Sequence, residues 1–204
     1  MNTQDLDVFV VDNDQSVCKA IGGLLLSRGY AVKTFASGED FLRSSRLNHG
    51  GCVLLDLRME PGMSGLQVFD ELRARGSPLV VVFLSGNGDV STSVGAMKDG
   101  AADWIEKPCS EARLFDAVKV ALDRAAEVTS RRSVKLQRTA LWEALTPREA
   151  EVAGHVRFGK SSKVIVKITN LEVRTVEGYR ARIYQKLDVN NPAELDRFMR
   201  DMDM

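Results

Sequence analysis

The sequence predicts an α/β domain built on a five-stranded, doubly wound parallel sheet, followed by a small all-α domain. Three observations predict it. Residues 7–127 alternate short β-branched runs with helix-length amphipathic segments, the rhythm of βα repetition. The β-branched runs are apolar almost throughout, as strands covered by helices on both faces of a parallel sheet must be. From about residue 145 the chain turns to short helical segments opened by capping residues.

The first strand reads DVFVV (7–11) and leads into a helix whose apolar positions include Val17, Ile21, Leu24 and Leu25. Further strands read AVKTF (31–35), CVLLD (52–56), LVVVFLS (79–85) and DWIEK (103–107), with helices near 38–45, 64–75, 89–99 and 110–127. Residues 123–144 contain no Gly or Pro, so the last of these helices is expected to extend into a helical linker. Both a solvated helix and a dimerising coiled coil remain open for it, since three unbroken heptads are not visible. Thr146, Pro147, Arg148 and Glu149 then form a capping box with Pro at the first helical position, and Asn191, Pro192, Ala193 and Glu194 repeat that logic. Between them fall a helix near 147–157, a short one from Ser161, a turn around Asn170 and a long helix at 173–187. Four short helices with a tight turn before the third describe a helix-turn-helix module.

The formal net charge of zero conceals an asymmetry. Residues 1–125 hold 13 Lys and Arg against 17 Asp and Glu, and residues 126–204 hold 15 against 11. The C-terminal part is therefore the candidate for a phosphate backbone. No basic start followed by an apolar stretch opens the chain, and no apolar run approaches the roughly 20 residues that cross a bilayer. A cytoplasmic protein with no membrane partner is expected. Cys18, Cys52 and Cys109 are too scattered for a zinc site or a disulfide framework and read as reduced, mostly buried thiols.

In an open parallel sheet the reactive crevice lies outside the carboxyl ends of the strands. The residues there are Asp12 and Asn13, Asp56, Ser85 and Lys107. Two carboxylates brought close together repel unless a cation intervenes, and an all-oxygen site suits Mg²⁺. A carboxylate nucleophile, a divalent ion and a lysine together suit the in-line acceptance of a phosphoryl group.

The segments VVDND, VLLDLRM with PGMSG, VVFLSG, GAMKDGAADW and EKP resemble, in order and spacing, the receiver domains of two-component response regulators. The resemblance implies that Asp56 is the phosphoacceptor. It implies that Asp12 helps hold Mg²⁺ with the Arg58 carbonyl, that Lys107 contacts the phosphoryl group and that Ser85 hydrogen-bonds one of its oxygens. Trp104 becomes the aromatic that turns inward when Ser85 is drawn away, and Pro108 follows a cis peptide bond. Two positions depart from the family. Asn13 stands where a second Asp is usual, replacing an anionic metal ligand with an amide, so Mg²⁺ affinity is expected to be weakened. Glu60 looks inserted between Met59 and Pro61 and reads as a solvated loop residue, while Asp14 reads as a helix N-cap.

On the 173–187 helix, a 100° step puts Val176, Ile183 and Leu187 on one stripe and Arg174, Gly178, Ala181 and Gln185 on the opposite face. Small residues between an arginine and a glutamine allow close approach to a groove floor, with both long side chains able to reach base edges. Lys163, Arg182 and Lys186 read as backbone contacts. Residues 145–195 resemble the LuxR/NarL-type helix-turn-helix through LTPREAEV, Gly159, Ser161 and Lys163, RTVEGYRARI and KLDVNNPAEL, and the whole chain resembles a FixJ-type regulator. The centre of the module is atypical. KVIVKIT taken on propensity alone is a strand, Thr169 occupies a usually apolar site, and Glu172 replaces a capping Ser.

These readings divide the chain into a receiver domain (1–122), a helical linker (123–144) and a LuxR/NarL-type helix-turn-helix DNA-binding domain (145–204). The expected function is that of a two-component response regulator, not an enzyme. It accepts a phosphoryl group from a sensor histidine kinase, forms a homodimer when phosphorylated and binds double-stranded DNA to regulate transcription. The alternative is a phosphorylation-independent protein-interaction regulator with a degenerate receiver or helix-turn-helix. A haloacid-dehalogenase-like phosphatase would place a second acid two residues after the nucleophile, where this chain has Arg58.

Overall fold

The computed structural model describes residues 6–44, 46–86 and 90–202, and the chain divides into two compact units, Met1–Ser130 and Arg131–Met204. Residues 45 and 89, which the sequence assigns to helix ends, lie outside the described residues. Among the described residues no helix is long and apolar enough to cross a membrane.

The first unit alternates β1 (Asp7–Val11), α1 (Gln15–Ser27), β2 (Ala31–Phe35), α2 (Gly38–Leu42), β3 (Gly51–Asp56), α3 (Gly65–Ala74), β4 (Leu79–Ser85), α4 (Val90–Lys98), β5 (Asp103–Glu106) and α5 (Glu111–Glu143). The strands pair in parallel in the order β2-β1-β3-β4-β5. Because strand side chains alternate faces, β1, β3 and β4 feed two separate cores. Val8, Val10, Cys52, Leu54, Val82 and Leu84 pack with α1 and α5. Phe9, Val11, Val53, Leu55, Val81 and Phe83 pack with α2, α3 and α4. This double coverage is why the strands read as continuous apolar runs. With β1 flanked by β2 on one side and β3 on the other, the strand order reverses there, and a crevice opens at the carboxyl ends of β1 and β3.

The α5 helix runs unbroken for 33 residues, where the sequence reading ended a helix near 127 and continued it as a linker. The polar stretch from Thr129 to Ser133 ends the apolar stripe but contains no residue that breaks a helix. Burial on α5 within the first unit ends at Ala125, so the two signals of packing and propensity stop at different places.

The second unit contains α6 (Pro147–Val156), α7 (Ser162–Thr169), α8 (Val173–Leu187) and α9 (Pro192–Arg200). Val152, Val156, Ile165, Val176, Ile183, Leu195 and Phe198 form its core. The segment with strand propensity is helical. Ile165 is fully buried there, and Thr169 satisfies its hydroxyl by donating to the Ile165 carbonyl at 2.8 Å. Asn170 closes α7 in the left-handed region at φ 56°, a conformation that Asn tolerates. Packing and the Asn170 C-cap outweigh a propensity deficit of a few tenths of a kcal/mol, roughly, for each β-branched residue.

Gly65 ties this fold to the crevice, since a Cβ there would meet the Asp56 carbonyl oxygen at 2.2 Å. Gly65→Ala is therefore expected to lower the stability of the first unit by about 1–3 kcal/mol through overpacking. Gly23, in α1 with open space around it, is expected to gain about 0.5–1 kcal/mol on substitution by Ala. Urea denaturation of the two variants checks both signs.

Candidate functional site

Lys107, Asp12 and Asp56 meet at the crevice. β1 delivers Asp12 one residue beyond its end, β3 ends on Asp56, and Lys107 follows β5, where its backbone N–H donates to the Ser85 carbonyl at 2.7 Å. The Lys107 Nζ donates to Asp12 Oδ2 at 2.5 Å and to Asp56 Oδ1 at 2.6 Å. Both carboxylates are buried, Asp12 to 1% exposure and Asp56 to 7%. Their other oxygens accept backbone N–H groups, Asp14 N to Asp12 Oδ1 at 2.8 Å and Arg58 N to Asp56 Oδ2 at 3.0 Å. A cleft of about 360 Å³ opens over Asp56, Leu57, Arg58, Gly86 and Lys107.

The electrostatics follow from burial. Desolvation pushes the Asp56 carboxyl above its ordinary pKa, and the Asp12 charge adds to the effect, together outweighing the pull of Lys107. Burial alone would lower the Lys107 pKa, but hydrogen bonds and charge from Asp12 and Asp56 outweigh it and hold the ammonium above its ordinary value. Two carboxylates share one ammonium, leaving a net negative pocket of hard oxygens. That donor set fits a hard divalent cation, although among the described residues no cluster of three or more His, Cys, Asp or Glu side chains forms.

The other residues singled out in the first unit lie as follows. Asn13 is exposed and its Nδ2 donates to the Glu60 carbonyl at 2.9 Å, so two positions that the sequence reading singled out contact each other. That contact was invisible in the sequence. Asp14 caps α1, accepting from Ser16 N at 2.7 Å. Ser85 is buried at the end of β4. The Lys107–Pro108 peptide bond is cis, as is Glu60–Pro61. The Trp104 ring lies tilted at 5.4 Å from the Phe83 ring and, with Ser93, Val94, Met97, Lys98 and Asp103, lines a groove on the α4–β5 face.

In the second unit Lys163, Arg174, Ala181, Arg182 and Gln185 are exposed, while Gly178 and Lys186 are half-buried. Glu172 begins α8 without a side-chain capping bond. Two of the predicted contacts turn toward a residue that sequence reasoning used only as a cap. Glu149, 2% exposed, accepts from Lys186 Nζ at 2.7 Å and from Arg182 Nε at 3.2 Å, and also from Thr146 N at 2.9 Å. The only sequence signal for this cluster was the capping box, because its cations lie more than thirty residues downstream.

The pattern described as "Response regulator receiver domain" matches residues 8–119, and that of "Bacterial regulatory proteins, luxR family" matches residues 143–199. The chain belongs to the response regulators. It is 41% identical over 190 residues to the tetrathionate response regulatory protein TtrR of Salmonella typhimurium, covering 93% of this chain and 90% of that protein. It is 37% identical over 194 residues to the transcriptional regulatory protein FixJ of Azorhizobium caulinodans, covering 95% and 92%. The solved structure of the response regulator StyR shares 36% identity and a TM-score of 0.83, covering 95% of this chain and 98% of that one. As a response regulator, the protein couples a phosphorylation-controlled receiver to a LuxR-type DNA-binding domain and regulates transcription.

The Glu149 cluster is expected to make the DNA-binding domain of this response regulator sensitive to acid. The hydrogen bond from Lys186, followed by that from Thr146, holds the Glu149 carboxyl down at about 2. With the folded value depressed, its stabilisation is fully present above the unfolded value of 4.5 and is lost as pH falls toward 2. Glu149→Gln is expected to destabilise the second unit by about 2 kcal/mol at neutral pH, below the fully buried range because both cations are partly exposed. Denaturation at a series of pH values should show this gap closing between pH 4.5 and 2; a gap independent of pH contradicts the assignment.

Proposed function

We propose that Asp56 is the phosphoacceptor of this response regulator and that Lys107 neutralises the group it receives. The observation that carries this reading is the Lys107 ammonium lodged between Asp12 and Asp56 at the ends of the strands. Asp56 Oδ1 is the nucleophile, and Lys107 offsets charge on the transferring oxygens. Asp12, Asp56, the Asn13 amide oxygen and the Arg58 carbonyl would hold Mg²⁺, which when bound supplies further neutralisation of the phosphoryl oxygens. Ser85 hydrogen-bonds the acquired phosphoryl group, and Trp104 moves toward the space Ser85 leaves. The phosphoryl donor is a sensor histidine kinase, and the protein acts in the cytoplasm on double-stranded DNA. Base contacts come from Arg174, Gly178, Ala181 and Gln185, with Lys163 and Arg182 on the phosphate backbone.

Acetyl phosphate and Mg²⁺ test the acceptor. The wild-type chain should gain one phosphoryl group by mass and Asp56→Asn none; labelling that survives in Asp56→Asn removes the assignment. Asn13→Asp should bind Mg²⁺ about tenfold more tightly, or about 1.4 kcal/mol, because a divalent ion gains from each added anionic oxygen. The same variant loses the donor to Glu60, so the metal-free protein should be less stable by about 0.5–1.5 kcal/mol. Unchanged Mg²⁺ affinity in a folded Asn13→Asp protein would show that another group already supplies the charge.

Phosphorylation favours a homodimer through the α4–β5 face. Val94 and Met97 are 47% and 43% exposed beside the Trp104 groove, and one short reading head covers little DNA, so a second half-site raises affinity. Sedimentation should show a larger dimer fraction with beryllofluoride, and an identical monomer fraction in its presence and absence refutes the coupling.

A further inference from the structure

We infer that Lys186 does not contact DNA phosphates but forms, with Glu149, an internal strut that positions the recognition helix α8. The inference rests on the DNA-binding reading above and reassigns a residue that the sequence alone placed on the phosphate backbone.

Lys186 Nζ donates to Glu149 Oε2 at 2.7 Å and to the Ala144 carbonyl at 3.1 Å. Ala144 follows directly on the end of α5, and Glu149 sits in the first turn of α6 with its capping box to Thr146. One ammonium thus joins the C-terminal half of α8 to the end of α5 and the start of α6. Arg182, one turn earlier on α8, reaches the other Glu149 oxygen, and its guanidinium lies 4.9 Å from the centre of the half-buried Tyr179 ring.

The strength of this arrangement comes from the carboxylate. A charged group at 2% exposure is tolerated only while its counter-ions stay in place, and removing one leaves an uncompensated buried charge. A phosphate approaching Lys186 would meet an ammonium whose charge and two of whose donors are already committed to Glu149 and the Ala144 carbonyl. Lys163, Arg174 and Gln185 make a different surface, being exposed on α7 and on the outer face of α8. The carboxylate therefore cancels one positive charge on the half of α8 away from its N-terminus. It trims the sequence-blind electrostatic term, while the strut fixes the orientation in which Arg174 and Gln185 meet base edges. The consequence is specificity: Glu149 and Lys186 raise the ratio of preferred to random binding without touching DNA.

The test is the salt dependence of binding by the full-length protein to two duplexes, one of random sequence and one enriched from a random pool. A phosphate contact contributes about 0.9 to the slope of log K against log salt. Lys186→Met should leave that slope unchanged on both duplexes and lower affinity for the enriched duplex about three- to tenfold more than for the random one. Lys186→Arg should restore the ratio. Glu149→Gln, which frees both cations, should steepen the slope on random DNA by about one and raise random affinity roughly fivefold at physiological salt. If Glu149→Gln does not fold, the Lys186→Met slopes decide. A slope lower by about one in Lys186→Met, with both duplexes weakened alike, overturns the strut and restores Lys186 as a phosphate contact. Wild-type protein with no salt-dependent binding to either duplex overturns the DNA-binding reading itself.

Discussion

Two carboxylates buried side by side repel each other and resist burial, and in this protein one ammonium holds both in place. Lys107 lies 2.5 Å from Asp12 and 2.6 Å from Asp56, and the three residues come from the ends of β1, β3 and β5. Strand order makes the meeting possible. Because β1 lies between β2 and β3, its end opens into the crevice with that of β3, and α3 passes close enough to Asp56 that only Gly65 fits beneath it. The apolar cores on both faces of the sheet supply the stability that keeps so much charge at one edge, and the pocket remains one positive charge short of neutral. That deficit is what the proposed Mg²⁺ and phosphoryl chemistry rests on.

The second unit solves a related problem with the opposite outcome. Glu149 is as buried as the acids of the receiver, yet its pKa falls to about 2, whereas that of Asp56 rises. The difference lies first in desolvation, which dominates at Asp56 but not at Glu149, and then in the neighbours. Glu149 accepts from two cations and a backbone N–H. Asp56 shares its one cation with Asp12. A carboxylate locked into its charged form is a structural anchor, and one kept away from its preferred state is poised to react.

Much of this was legible in the sequence. The strands and their ends were readable because burial on both faces leaves continuous apolar runs, and the polar residues that stop those runs are the site. Asp12, Asp56 and Lys107 therefore came together as expected. The capping residues at Thr146 and Asn191 marked helix starts for the same reason, since a cap is a local interaction. What escaped was long-range or set by packing. No pattern joins Asn13 to Glu60 across 47 positions, or Glu149 to Lys186 across 37. KVIVKIT resembled a strand because propensity is local, whereas the burial of Ile165 and the left-handed turn at Asn170 that decide its helix are not. The polar interruption in α5 ended the readable stripe without ending the helix.

The central claim is that phosphoryl chemistry at Asp56 governs DNA binding by the second unit. Fluorescence anisotropy of a labelled duplex carrying two half-sites measures it directly, with Mg²⁺ present and with or without acetyl phosphate, for the wild type and for Asp56→Asn. The account predicts that acetyl phosphate tightens binding by the wild type and leaves Asp56→Asn unchanged. Equal DNA affinity of the wild-type protein in both conditions, with Asp56 shown to be phosphorylated, would contradict it.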